Sequence, residues 1–246
     1  MRLICLLFLF FSLSLAGQSR TVVTIPSIAE EATQIWRTIN DIQFFEEHGY
    51  TVHLPESDLI TGLIQKARES QLDNEDYAQI VILLERGVYQ KSDYQKGLEK
   101  IQIQLPLVDS LVEAIINTKR NWAFKQFDQY KVTLTLYGSG GSFNPDEGTI
   151  LMLTTKAGQF KQYDNPANTL IHEIVHIGLE ESIVQKYQLN HGFKERIVDT
   201  FVYLHFKASL PEYRIQNMGD KALDQYLQSK KDLQNLDQIV AKFTKK

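Results

Sequence analysis

The sequence predicts an α+β fold: a mainly helical N-terminal region, then a small antiparallel or mixed sheet, then further helices. Three observations point to it. Apolar residues recur at helical spacing through most of 27–127 and again after 165. Between these stretches the period changes, and Lys131 to Tyr137 alternates strictly, as a half-buried strand does. A chain of 246 residues, 43% hydrophobic and 23% charged, has an ordinary globular composition and enough length for a sizeable core.

The first segment, 1–16, reads as a Sec-type signal peptide. Arg2 is a short basic start, Leu3 to Leu15 is an apolar run, and Ser14-Leu15-Ala16 places small residues where a signal peptidase cuts. Cleavage falls after Ala16 or Gly17. The run is shorter than the ~20 residues of a spanning helix, which weighs against a membrane anchor. An exported protein, periplasmic or secreted, is the expectation. The only cysteine, Cys5, would leave with the signal, so the mature chain would need no disulfide.

The second segment, 17–128, is mainly helical. Arg20 to Ile25 is a short strand or extended arm. Ser27 and Glu30 form a capping box for a helix that closes near His48-Gly49. Thr51 to Leu54 is extended. One helix starts at Ser57 and another at Asn74-Glu75-Asp76, the latter closing at Gly87. Two more flank Pro106, which breaks or kinks the pattern between Ile103 and Val108. These stripes are most simply core packing. Trp122, Phe124, Phe127 and Tyr130 then form an aromatic bridge, again a common core composition.

The third segment, 129–210, holds the sheet and the site. Residues 131–137, 149–155 and 159–163 read as an antiparallel meander with turn-rich connections. Asn165-Pro166 then starts a helix well. The last segment, 211–246, reads as one or two exposed amphipathic helices.

The helix after Pro166 carries His172-Glu173-Ile174-Val175-His176. Residues four apart lie on one helical face, so both histidines can reach one ion, and Glu173 sits where a carboxylate can hold and deprotonate its water. A third ligand is needed. Glu180 keeps the spacing, but eight residues of helix rise about 12 Å, too far for bonds of about 2.0–2.2 Å. Glu195, beyond the polar turn 189–192, is the best candidate, with His191 as its rival. Asp199, one turn further on, can accept the free ring N–H of a ligating histidine.

H-E-I-V-H followed by E-R-I-V-D resembles the gluzincin class of zinc metallopeptidases, the thermolysin-like arrangement, over roughly residues 165–205. The resemblance implies a zincin-like catalytic core. It makes His172, His176 and Glu195 ligands of one Zn2+, Glu173 the catalytic base, and Asp199 the support of a histidine, His172 foremost. It implies too that an edge strand beside the metal helix, such as 149–155, pairs with an extended peptide. The glycines at 138, 140 and 141 either admit that substrate or serve a flexible connection. A metzincin is a poor match, because Ser182 stands where that motif needs its third histidine. Candidate transition-state donors are His191 and Tyr213, with His205 and Tyr187 behind them.

The function expected is zinc-dependent hydrolysis of peptide bonds in a peptide or protein substrate. The alternative is a non-catalytic zinc-binding periplasmic sensor or interaction protein, though retention of Glu173 weighs against it. A formal net charge of -4 gives no reason to expect nucleic acid or anionic membrane as partner. No stretch after the N-terminus is long and apolar enough to span a bilayer.

Overall fold

The computed structural model describes residues 19–161 and 163–244. The expected signal peptide lies outside them. The class is α+β, with a four-stranded mixed sheet among helices. Among the described residues no helix is long and apolar enough to cross a membrane.

Strand β1 (Thr21–Thr24) comes first, where an extended arm is expected. Ser27 then caps α1 (Ile28–Asn40): its Oγ accepts the Glu30 N–H at 3.2 Å, and Glu30 accepts the Ser27 N–H at 2.7 Å. The helix does not run unbroken to residue 48. It stops at Asp41, and a short α2 (Ile42–Glu47) follows. Ser57 caps α3 (Asp58–Arg68), and α4 (Asn74–Leu83) opens at Asn74 as expected, capped by Asp73. A π-helical turn, Leu84–Val88, ends this part, with Gly87 at φ 115°.

At Pro106 the expected break is absent. A single α5 (Gln95–Ile116) of 22 residues runs through it. Pro106 is exposed, so the carbonyl that loses its N–H partner stays near water. Ile101, Val108, Leu111, Val112 and Ile115 are all buried along the helix, and that continuous apolar stripe holds both halves in register.

The sheet corrects the antiparallel meander. Its strands are β1, β2 (Tyr130–Thr135), β3 (Ser142–Asn144) and β4 (Thr149–Leu153), in spatial order β1-β2-β4-β3. β1 and β4 both pair with β2 in parallel, with Val23 opposite Val132 and Val132 opposite Ile150; only β3 and β4 are antiparallel. The chain therefore leaves β2, steps past one strand width through 136–141, and returns as β4 between β2 and β3. Thr149 to Leu153 is an almost continuous apolar run, which suits a strand with neighbours on both edges. Where a third strand is expected, at 159–163, the described residues show one isolated bridge, Thr154 to Phe160.

The helices from α1 to α5 form the crossover between parallel strands β1 and β2. The expected segments 17–128, 129–210 and 211–246 thus share one hydrophobic core, from Ala32 through Leu134 and Ile174 to Val240. At its centre is α6 (Ala167–Leu179), buried at every residue. It continues into a π-helical turn (Glu180–Gln185), and α7 (His191–Phe206) packs back on it. The C-terminal α8 (Lys230–Gln234) and α9 (Leu236–Phe243) bury Leu233, Leu236 and Val240, so they dock as part of the core. Trp122 and Phe124 pack edge-on and stacked against Phe201, behind the site.

Candidate metal centre

Two short signals set up the helices that carry the site. Asn165 Oδ1 accepts the Ala167 N–H at 2.9 Å at the start of α6. Asn190 Oδ1 accepts the Phe193 N–H at 2.9 Å at the start of α7, which begins at His191, earlier than Glu195. Packing of α7 against α6 then brings Glu195 to the two histidines.

The three side chains converge. His172 Nε2 and His176 Nε2 are 2.9 Å apart. Glu195 Oε2 lies 3.3 Å from the first and Glu195 Oε1 3.2 Å from the second. All three residues are buried, and among the described residues they form the group that could hold a metal ion. Donors bound at about 2.0–2.1 Å in a tetrahedron stand about 3.3 Å from one another, close to this triangle. Glu180 is not in the group. His191 is turned aside: its Nε2 meets the Tyr50 hydroxyl at 2.9 Å, and its Nδ1 is 3.7 Å from Glu195.

Behind His172 lies a relay. Its Nδ1 is 2.6 Å from the Tyr213 hydroxyl, which donates to Asp199 Oδ1 at 2.8 Å. The hydroxyl has one proton and the carboxylate only accepts, so the imidazole N–H donates to Tyr213 and its Nε2 lone pair faces the site. Asp199 Oδ1 is also 3.3 Å from His172 Nδ1 directly, and Asp199 Oδ2 accepts the Gln216 N–H at 2.7 Å. Tyr213 therefore sits behind the histidine, not at the open face where a transition-state donor would stand. The segment that carries it is held by Arg196, which donates to Gln216 O at 3.0 Å and to Asp224 Oδ1 at 2.7 Å. Gly192 and Gly219 also meet so closely there that a Cβ on Gly219 would sit 2.3 Å from Gly192 O. His176 is held differently. Phe143 stacks on it at 4.9 Å and 10°, and its Nδ1 has no partner among the described residues.

Glu173 is 6% exposed and faces a groove of about 560 Å³. Burial, reinforced by the Glu195 charge, pushes its carboxyl up to about 7 against the pull of His172 and Lys194. Burial alone would lower His172, but Asp199 and Glu195 hold it up to about 10. Burial and the neighbouring His172 push His176 down to about 4. Glu195 is buried, yet both imidazoles hold its carboxyl well below the usual range.

The groove is walled by 139–143, α1, α2 and α7. A Cβ on Gly141 would sit 2.4 Å from Glu173 Oε1, so any larger residue there would displace that carboxylate; Gly140 has open space. The strand beside the triangle is β3, whose Phe143 stacks on His176, at the edge of the sheet, whereas 149–153 is paired on both sides. Tyr50, Lys194, Arg37 and Phe143 also line the groove, and sequence reasoning missed them. Lys194 adjoins Glu195, the one local signal among them. His205 and Tyr187 lie elsewhere, bonded to Phe201 O and to Asp237.

Compared with protein-family models, curated proteins and solved structures, the chain has no significant match.

Proposed function

We propose that this chain is a zinc-dependent peptidase of the gluzincin type, with a zincin-like core, exported by way of its N-terminal segment. One observation carries the reading: two imidazole nitrogens 2.9 Å apart meet a carboxylate from a second helix beside an open groove, with Glu173 next to them. His172, His176 and Glu195 would hold the zinc. Bound there, zinc supplies Lewis acidity toward a carbonyl and lowers the pKa of water.

The chain's own groups do the rest. Glu173 accepts a proton from water at its carboxylate and returns it to the leaving amine. Gly141 leaves room for that carboxylate and keeps it close to the groove wall. Tyr213 and Asp199 fix the His172 tautomer. The free edge of β3 offers backbone groups to an extended peptide. His191 and Tyr50, bonded to each other at 2.9 Å, stand in the groove as donors for a developing oxyanion.

The test is metal analysis of the purified mature protein, with hydrolysis of a peptide library. Glu173→Gln should keep the metal and lose turnover; Glu195→Ala should lose the metal or weaken it strongly. Unchanged metal content in Glu195→Ala sinks the ligand assignment. Zinc-replete wild type that leaves the library intact favours the non-catalytic zinc-binding alternative.

A further inference from the structure

The groove has an unusual charge balance for a chain of net charge -4. Its only lining acids among the described residues are Glu173 and Glu195, and a divalent cation at the triangle would cancel both. Arg37, Lys161 and Lys194 remain. Lys161 is occupied, because its ammonium donates to Thr51 O at 2.9 Å and to Ser139 O, tying two walls together. Lys194 is not. It is half-buried, its Nζ lies 5.3 Å from the centre of the Phe143 ring, and among the described residues it forms no ion pair. Arg37 reaches Ser142 Oγ at 3.5 Å and has one loose carboxylate neighbour, Asp41, at 3.8 Å. Both cations therefore stand over consecutive residues of edge strand β3, with charge to spare. A half-buried ammonium that forms no ion pair is open to a ligand that brings a carboxylate to it.

We propose that Lys194, flanked by Arg37, is the receptor for a carboxylate on the peptide lying along β3, so that the preferred substrates are acidic peptides. This rests on the reading of the groove as a peptide site. The carboxylate belongs to an Asp or Glu side chain or to the peptide's C-terminus; both offer the same chemistry to the ammonium.

The experiment uses the zinc-loaded Glu173→Gln chain, so that bound peptide is not consumed, and reads affinity by fluorescence anisotropy. Three peptides are compared: one blocked at both ends with a single Glu, the same with Gln, and the Gln peptide with a free C-terminus. At least one carboxylate peptide should bind about tenfold tighter than the blocked Gln peptide, less so at high salt. Adding Lys194→Gln should bring that ratio close to one, Lys194→Arg should restore it, and Arg37→Gln, at an exposed site, should reduce it. Whichever carboxylate peptide wins identifies the source. Equal affinities, no binding, or a ratio that survives Lys194→Gln overturns the proposal. Turnover of a peptide library by wild type without acidic bias sinks the carboxylate receptor and leaves the peptidase standing. Acidic preference in binding without any turnover does the reverse.

Discussion

Tyr213→Phe tests how the proposed metal ligands are held. The hydroxyl contributes two buried hydrogen bonds, at 2.6 Å to His172 and 2.8 Å to Asp199. Hydrogen bonds to a charged group are worth about 1.5–3 kcal/mol, neutral ones about 1. Phenylalanine keeps the ring, which stacks on Tyr163 at 5.5 Å, so packing is nearly unchanged. His172 Nδ1 is already 3.3 Å from Asp199 Oδ1, and a small shift lets it donate there directly, recovering part of the loss. The remainder is about 1–2 kcal/mol, or roughly 5- to 30-fold weaker metal binding, near the lower part of the range for such outer partners. Asp199→Ala removes the direct and relayed contacts and the anchor for the Gln216 N–H, so its loss should be larger, about 100-fold. Competition with a chromophoric chelator measures both. Zinc-dependent change in melting temperature gives a second readout, since a ligand bound only by the folded state stabilises it. If Tyr213→Phe binds zinc within twofold of wild type, or worse than Asp199→Ala, the relay has been misread.

Other substitutions probe the surroundings. Gly141→Ala puts a Cβ 2.4 Å from Glu173 Oε1 and displaces that carboxylate, so on the proposed peptidase reading turnover should fall at least tenfold while metal content by elemental analysis stays intact. Gly178→Ala drives a methyl into the Phe124 ring at 2.0 Å and should lose about 1–3 kcal/mol in urea unfolding. Pro106→Ala restores a hydrogen bond on an exposed helical face and should gain about 2 kcal/mol, offset slightly by the freer unfolded chain. Asp76 is held below its usual carboxylate range by its hydrogen bond from Lys66, at 2.7 Å. A depressed folded pKa gives stability that is present above the unfolded value and lost as pH falls through the folded one. Asp76→Asn should therefore flatten the acid limb of the stability–pH curve, measured by thermal unfolding from neutral pH down to about 3.

The legible parts were those with short-range causes. Ser27 with Glu30, Ser57 and Asn165 each mark a helix start because the side-chain oxygen and the N–H it accepts from lie within a turn. The His172–His176 pair follows from helical spacing alone. Asp199 was placed against His172 by position, but not the tyrosine between them. Tyr213 is 41 residues from His172 in sequence, and nothing local links the two. The sheet misled for the same reason. A turn-rich connection implies a neighbouring strand, yet 136–141 passes over the place that β4 later fills. Pro106 misled because its local penalty is smaller than the burial on either side of it.

By itself, the sequence determined which side chains share a helical face: periodicity reaches one or two turns, and backbone geometry makes it nearly obligatory. It therefore named two imidazoles, an adjacent carboxylate and a second helix bearing two more. Only the tertiary structure decided that Glu195 closes the triangle while His191 turns to Tyr50, that β3 rather than β4 borders the groove, and that Lys194 faces it over the Phe143 ring. Those outcomes depend on how α7 packs against α6 and on which strand takes the central place. Many distant apolar contacts set both, and no short run of residues records them.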